Sequence, residues 1–157
     1  MKRHPRSPDA PVIARAMAVR LGITGVMIAV ATLIVVSWAE SRHGVAVATT
    51  MGFITLSMLH IVAAFEWRDP TRSVFHGESI ANGRFNMMIL ISFGLAVLGT
   101  SVGALQRMLD TVQLSGDQWR PVLIAVVGFL VFAEIEKAIA RALAPDKPKP
   151  LVQAAVA

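Results

Sequence analysis

Four long apolar segments, separated by short polar stretches, dominate the sequence. They run from about 21 to 39, 45 to 65, 87 to 105 and 121 to 140. Each is close to the roughly 20 residues that an α-helix needs to cross the hydrocarbon core of a bilayer. Trp38 and Trp67 stand at segment ends, where the aromatic belts of membrane proteins lie. The pattern therefore predicts an all-α integral membrane bundle of four transmembrane helices.

The polar stretches between the segments suit turns and loops. We expect a short turn over 40–44 and a long loop over 66–86, which holds Asp-Pro and Asn-Gly pairs. Pro121 is expected in the first turn of the fourth helix. Three glycines of the third segment are expected to allow close helix packing. They are Gly94, Gly99 and Gly103.

Composition supports a membrane protein and excludes a soluble domain. The chain is 55% hydrophobic and 16% charged, with a mean hydropathy of +0.62. A soluble domain of 157 residues could not bury so much apolar surface. The formal net charge of +5 comes from Lys and Arg flanking the apolar segments, which favours contact with anionic lipid headgroups over nucleic acid. Without Cys, the chain forms no disulfide and does no thiolate chemistry.

The distribution of Lys and Arg predicts the domain organisation and the orientation. We divide the chain into a basic cytoplasmic tail (1–20), a four-helix transmembrane domain (21–141) and a disordered tail (142–157). With four crossings, twelve Lys and Arg residues lie on the side of both termini and three on the other. The positive-inside rule then places both termini in the cytoplasm, with the bundle in the plasma (inner) membrane.

Motifs for nucleotide, metal and nucleophile chemistry are absent from the sequence. It contains no Walker A loop, dinucleotide-binding glycine loop, HExxH, Cys/His cluster or Gly-x-Ser-x-Gly elbow. The loops are also too short to fold a nucleotide-binding domain. We therefore expect no ATPase or other enzyme activity, no cofactor, and neither nucleotide nor nucleic acid as a partner. An intramembrane enzyme would need a second polar group near His60.

Five motifs in order carry a resemblance to a known family. They are Pro5-Arg6-Ser7-Pro8-x-x-Pro11 with Arg20 and Gly25; Thr50-Met51-x-Phe53 leading through His60 to Ala64-Phe65-x-x-Arg68; Arg72-Ser73-Val74-Phe75-x-Gly77 with Asn82; Leu114-Ser115-x-x-x-Trp119; and Glu134-x-x-Lys137-x-x-x-Arg141. Together they resemble the C-terminal transmembrane domain, the last four helices, of P-type cation-transporting ATPases. The resemblance covers nearly the whole chain.

The resemblance also shows what this sequence does not contain. Such a pump has upstream helices with most of the cation ligands, an Asp-Lys-Thr-Gly motif, and nucleotide and actuator domains. In the family, the second helix of this unit can lend a Glu or Gln to a cation site, and alignment places His60 there. Calcium prefers oxygen ligands, so an imidazole suits it badly. The resemblance thus supports the fold more than calcium binding.

Two intramembrane polar positions and one loop are the candidate sites. His60 could face an ion path, but we favour a residue that hydrogen-bonds to a neighbouring helix and binds no metal. Glu134 could also face an ion path, but we favour pairing with Lys137 one turn on. The resemblance implies that this Glu-x-x-Lys cluster contacts the ends of neighbouring helices.

The loop holds candidate contacts with lipid or with a partner. Arg68, Arg72 and Arg84 suit lipid headgroups or a docking protein, and Phe75 is expected to pack against helix ends or a partner.

Three functions compete on this evidence. The first is a cation-transport-associated membrane domain, either a pump fragment or an accessory subunit; Met1 with its basic tail favours a separate gene product. The second is an assembly or stabilising subunit of an unrelated membrane complex that kept the fold and lost transport. The third is a small channel, which so few polar residues make the weakest. Each of the first two requires another membrane protein as partner besides the lipid bilayer.

The orientation is testable because the chain is free of Cys. Single substitutions Ser7→Cys, Ser115→Cys and Gln153→Cys place one thiol in each predicted compartment. In intact cells, a membrane-impermeant thiol reagent should label Ser115→Cys alone. Labelling of either terminal position, with Ser115→Cys silent, would reverse the predicted orientation.

Overall fold

The computed structural model describes residues 15–68 and 83–143, and the regular structure in those two ranges is entirely helical. The helices are α1 (Arg15–His43), α2 (Val45–Arg68), α3 (Gly83–Ser101), α4 (Gly103–Leu109) and α5 (Gly116–Leu143). This confirms the all-α prediction for the described part of the chain. The long helices α1, α2, α3 and α5 alternate in direction, with the short α4 lying between α3 and α5.

Among the helices of the described ranges, three contain stretches long and apolar enough to cross a membrane. These stretches are Met17–His43, Val45–Trp67 and Gly83–Ser101. The last long helix, α5, has 28 residues, but its uninterrupted apolar part covers only residues 121–133. At about 1.5 Å per residue that part is roughly 20 Å long, against about 30 Å of hydrocarbon. A fourth crossing therefore requires α5 to carry charged residues into the membrane, and it stays a prediction.

The connection between α1 and α2 is tighter than the predicted turn over 40–44. Helix α1 continues through His43, and Gly44 alone breaks the helical path with a φ of +81°. Only glycine adopts that angle without steric cost. Glycine 44 still accepts a hydrogen bond from Ala48 N, so α2 begins at once. At its other end α1 starts at Arg15, inside the predicted tail.

The third and fourth segments also differ from the expected boundaries. The predicted segment 87–105 is interrupted at Val102, whose extended backbone separates α3 from α4. Helix α5 begins at Gly116, so Pro121 lies more than a turn inside it, beyond the predicted first turn. The signal for the true start is Ser115 followed by Gln118, of which the structure shows one half of a capping box: Gln118 Oε1 accepts from Ser115 N at 2.8 Å. Gln118 N itself donates to the backbone Ser115 O at 3.0 Å.

Helix α2 is the centre of the bundle and packs against α1, α3 and α5. The main core cluster lies along it. Its buried members include Val35, Ala39, Ala48, Met51, Ile54, Met58 and Val122. At the α4 end, Thr50 Oγ1 accepts from Val112 N at 2.9 Å, and Thr111 Oγ1 donates to Gly99 O at 2.7 Å. These bonds satisfy backbone groups that the helix break leaves unpaired.

The glycines differ in what surrounds them. A Cβ on Gly99 would lie 3.1 Å from Leu109 Cδ1, which fits the predicted close packing, whereas Gly94 and Gly103 have open space around them. The tightest glycine is Gly52 on α2, where a Cβ would lie 2.7 Å from Val36 Cγ2 on α1. A β-branched valine has little rotamer freedom to move away. Gly52 therefore sets the spacing of α1 and α2.

Substituting Gly52 by Ala should destabilise the bundle. The added methyl forces α1 and α2 apart, which costs about 1–3 kcal/mol of unfolding free energy, the usual cost of overpacking. The control is Gly94→Ala, where nothing lies within 4 Å and the change should be neutral or slightly stabilising. Reversible unfolding in mixed detergent micelles measures both; equal stability of the two variants would contradict the close approach.

Candidate functional site

Charged side chains from three helices meet at the end of the bundle where α1 begins and α2 and α5 end. At its centre Lys137 Nζ lies 2.5 Å from Glu66 Oε2, and both side chains are almost fully buried, at 1% and 4% exposure. Glu134 Oε1 lies 3.8 Å from the same Lys137 Nζ. A lysine ammonium thus sits inside the bundle between two carboxylates.

A second pair flanks the first and adds α1. Arg20 Nε lies 2.8 Å from Glu136 Oε1, with both side chains about four-fifths buried. The Arg20 guanidinium also lies 5.0 Å from the centre of the Trp67 ring, within range of a cation–π interaction. We call Arg20, Glu66, Glu134, Glu136 and Lys137 the ionic cluster.

The ionic cluster explains how α5 tolerates charge beside an apolar stretch. An unpaired ammonium buried in an apolar medium is so costly that it is rarely found. Here the charge of Lys137 is balanced by a carboxylate on another helix, at ion-pair distance. The same pairing holds α2 to α5, while Arg20 holds α1 to α5. The cluster can therefore fasten three helices at one end of the bundle.

The structure places one of the two intramembrane candidates, Glu134, in the ionic cluster. The pairing of Glu134 with Lys137 that their spacing predicts is present. The closer partner of Lys137 is Glu66, a residue predicted from the sequence to lie in the loop over 66–86. Nothing in the sequence alone pairs Glu66 with Lys137, since they are 71 residues apart. The signal that could have indicated it is the carboxylate directly before the belt residue Trp67.

His60 lies outside the ionic cluster, on an exposed face of α2. Its Nδ1 is 2.8 Å from Leu56 O, one turn earlier in the same helix. The expected hydrogen bond to a neighbouring helix is thus replaced, in the described residues, by one within α2. Because a carbonyl can only accept, Nδ1 carries the proton, which leaves Nε2 of a neutral ring as an acceptor.

The loop candidates lie largely outside the described residues. Arg72 and Phe75 fall in 69–82, and for Arg68 the structure describes the backbone end of α2 but not the side chain. Arg84 is exposed in the first turn of α3. Next to it, the Phe85 ring lies 5.9 Å from that of Phe65, which brings the start of α3 to the same end of the bundle as the ionic cluster.

In the described ranges, no three His, Asp or Glu side chains are grouped so that they could hold a metal ion. The polar chemistry of this part of the chain is that of ion pairs between helices.

Comparison with known proteins agrees with the resemblance carried by the motifs. Residues 1–139 match the family described as cation transporting ATPase, C-terminus. A calcium-transporting ATPase of Bacillus subtilis (strain 168) is 29% identical over 125 residues. That alignment covers 78% of this chain and 14% of the Bacillus protein, so the chain corresponds to a small part of that relative's length.

Breaking the central ion pair should destabilise the chain strongly. Lys137→Met leaves Glu66 buried without its cation, which we expect to cost about 3–5 kcal/mol of unfolding free energy. The double variant Glu66→Met/Lys137→Met removes both charges and should recover most of that loss. The measurement is reversible unfolding in mixed micelles.

The exposed pair of Asp117 and Arg120 supplies the control. These side chains are 79% and 77% exposed at 3.2 Å, so Asp117→Asn should change stability by no more than about 0.5 kcal/mol. A Lys137→Met variant as stable as Asp117→Asn would show that the buried pair does not hold α2 to α5.

Proposed function

The chain belongs to the cation-transporting ATPase C-terminal family, and from this premise we propose that it acts as a transport-associated membrane unit, packing against the ion-carrying helices of a cation transporter and hydrolysing no ATP itself. The observation that carries the proposal is a polar stripe on the exposed face of α2. The family match and the Bacillus relative support the link to cation transport.

The stripe follows the helical period along α2. Thr49, Leu56, His60 and Ala64 are all exposed at successive spacings of seven, four and four residues, so they share one face of the helix. Ser57 lies half-buried at its edge. Two of these side chains donate to backbone carbonyls within α2. Thr49 Oγ1 donates to Val45 O and His60 Nδ1 to Leu56 O, each at 2.8 Å. The exposed face of an otherwise apolar helix is therefore partly polar.

Such a face is better suited to protein than to lipid. Ionisable residues within membrane spans usually face the interior of a bundle, because lipid offers them no hydrogen-bond partner. Small residues such as Ala64 let a second helix approach closely. We therefore infer that a further transmembrane helix lies along this stripe and offers a donor to His60 Nε2.

His60 has a structural role in this proposal. The family resemblance places it where a Glu or Gln can contribute to a cation site, but hard cations select oxygen ligands. The helix that packs on the stripe would supply the ligands, and His60 would position that helix. The ionic cluster then keeps α1, α2 and α5 in a fixed arrangement, with both termini on the cytoplasmic side.

The second candidate function is assembly or stabilisation of an unrelated membrane complex. The imidazole at position 60, in place of a carboxylate or amide, favours it. The same stripe would then contact a helix of that complex. The identity of the protein that lies against the stripe separates the two functions.

Crosslinking from the stripe tests the proposal. In this Cys-free chain, Leu56→Cys lies on the stripe, and Leu95→Cys on the exposed face of α3 is the matched control. With a thiol-reactive photocrosslinker in native membranes, Leu56→Cys should join a membrane protein that contains the Asp-Lys-Thr-Gly motif. Leu95→Cys should give far less of that adduct.

Two results would contradict the proposal. Adducts of Leu56→Cys with subunits of an unrelated complex would support the second function. Vanadate-sensitive phosphate release from the purified chain, free of contaminating ATPases, would show that the chain hydrolyses ATP by itself.

A further inference from the structure

A groove runs between α1 and α5. Its volume is about 1150 Å³. Its walls are apolar, with Met27, Ala31 and Ile34 on α1 facing Ile124 and Phe129 on α5. The groove belongs to the half of the bundle opposite the ionic cluster.

Small residues create the groove. Gly128 lines it, and a Cβ built on Gly128 would meet nothing within 4 Å, so helix packing does not account for a glycine there. Ala31 and Ala125 line the same space from the two helices. A Cβ on Gly128 would therefore extend into the groove without meeting the rest of the bundle. The absent side chain leaves room for something other than this chain.

The polar groups of the groove are confined to one end. Trp38, Arg42 and His43 close it on α1, and Asp117 and Arg120 close it on α5. Along the groove, the apolar walls are followed by Trp38, an aromatic residue suited to the membrane interface, and then by the cationic groups of Arg42 and Arg120. A phospholipid has the same order, from acyl chain through glycerol to phosphate. A transmembrane helix would require no such cationic end.

Both guanidinium groups keep donors for an anion. Arg42 lies over the face of Trp38, with 5.0 Å between its Cζ and the ring centre, which leaves the edge of the guanidinium open. Arg120 uses Nη1 on Asp117 at 3.2 Å, which leaves the donors of Nε and Nη2. Together Arg42, Arg120 and Asp117 carry a formal charge of +1. That charge favours a lipid with a net negative headgroup.

We propose that this groove is a binding site for an anionic phospholipid, with an acyl chain along Ala31 and Gly128 and the phosphate between Arg42 and Arg120. Arginine suits this role because its planar group donates two parallel hydrogen bonds to phosphate oxygens. The lipid belongs to the leaflet opposite the ionic cluster. The site is independent of which membrane protein lies against α2.

Native mass spectrometry of the full chain tests the site. The delipidated protein is titrated in detergent with phosphatidylglycerol and, separately, with phosphatidylcholine of the same acyl chains. We expect one phosphatidylglycerol per chain to be retained in preference to phosphatidylcholine. Arg42→Gln/Arg120→Gln should bind phosphatidylglycerol at least about tenfold more weakly, since charge-assisted hydrogen bonds are lost. Arg107→Gln, at the same end of the bundle but outside the groove, should bind normally.

The acyl part of the site has its own variant and control. Gly128→Leu fills the groove and should abolish retention of both lipids, whereas Gly94→Leu, also in open space but on α3, should not. Unchanged phosphatidylglycerol retention in Gly128→Leu, or an unchanged preference in the double arginine variant, would overturn the proposal. As a test without substitutions, a photoreactive phosphatidylglycerol should label α1 and α5; labelling confined to other helices would also overturn it.

Discussion

A buried lysine inside a helical bundle must have a partner, and this constraint organises one half of the structure. The apolar part of α5 is roughly 20 Å long and too short for the hydrocarbon core. Beyond this part the helix continues through Glu134, Glu136 and Lys137. Glu66 of α2 meets the ammonium of Lys137 at 2.5 Å, and Arg20 of α1 meets Glu136 at 2.8 Å. The charges that make α5 a poor membrane span by composition are thus the groups that join it to its neighbours.

The opposite half of the bundle is held together by different chemistry. At that end Gly44 connects α1 to α2, and α4 lies in the connection between α3 and α5. Backbone groups that lack a helical partner there bond to threonine hydroxyls, as Val112 N does to Thr50 Oγ1. Between the two ends, α2 packs against three helices, and Gly52 brings it close to α1. Most polar groups inside the bundle are paired within it, with the buried Thr55 hydroxyl as an exception. The polar stripe through Thr49 and His60 and the cationic end of the groove are instead turned outward.

Some polar groups of this bundle lie inside it and others face outward, an arrangement that suits assembly with other membrane components. A domain that carried ions by itself would need polar side chains lining an internal path, whereas the described interior is apolar apart from the ionic cluster and a few threonine hydroxyls. The outward stripe and groove are where such a unit would meet helices and lipid.

The length and composition of the apolar segments and the spacing of residues within them, which are properties of a single stretch of chain, were readable from the sequence alone. They predicted the all-α fold, the approximate positions of the long helices and the pairing of Glu134 with Lys137, which lie one turn apart. The motifs likewise indicated the family. Contacts between helices depend on the rotation and axial shift of each helix, which no local pattern encodes. Only the tertiary structure therefore brought Glu66 to Lys137, turned His60 outward, and distinguished the packed Gly99 from Gly94, which has open space around it.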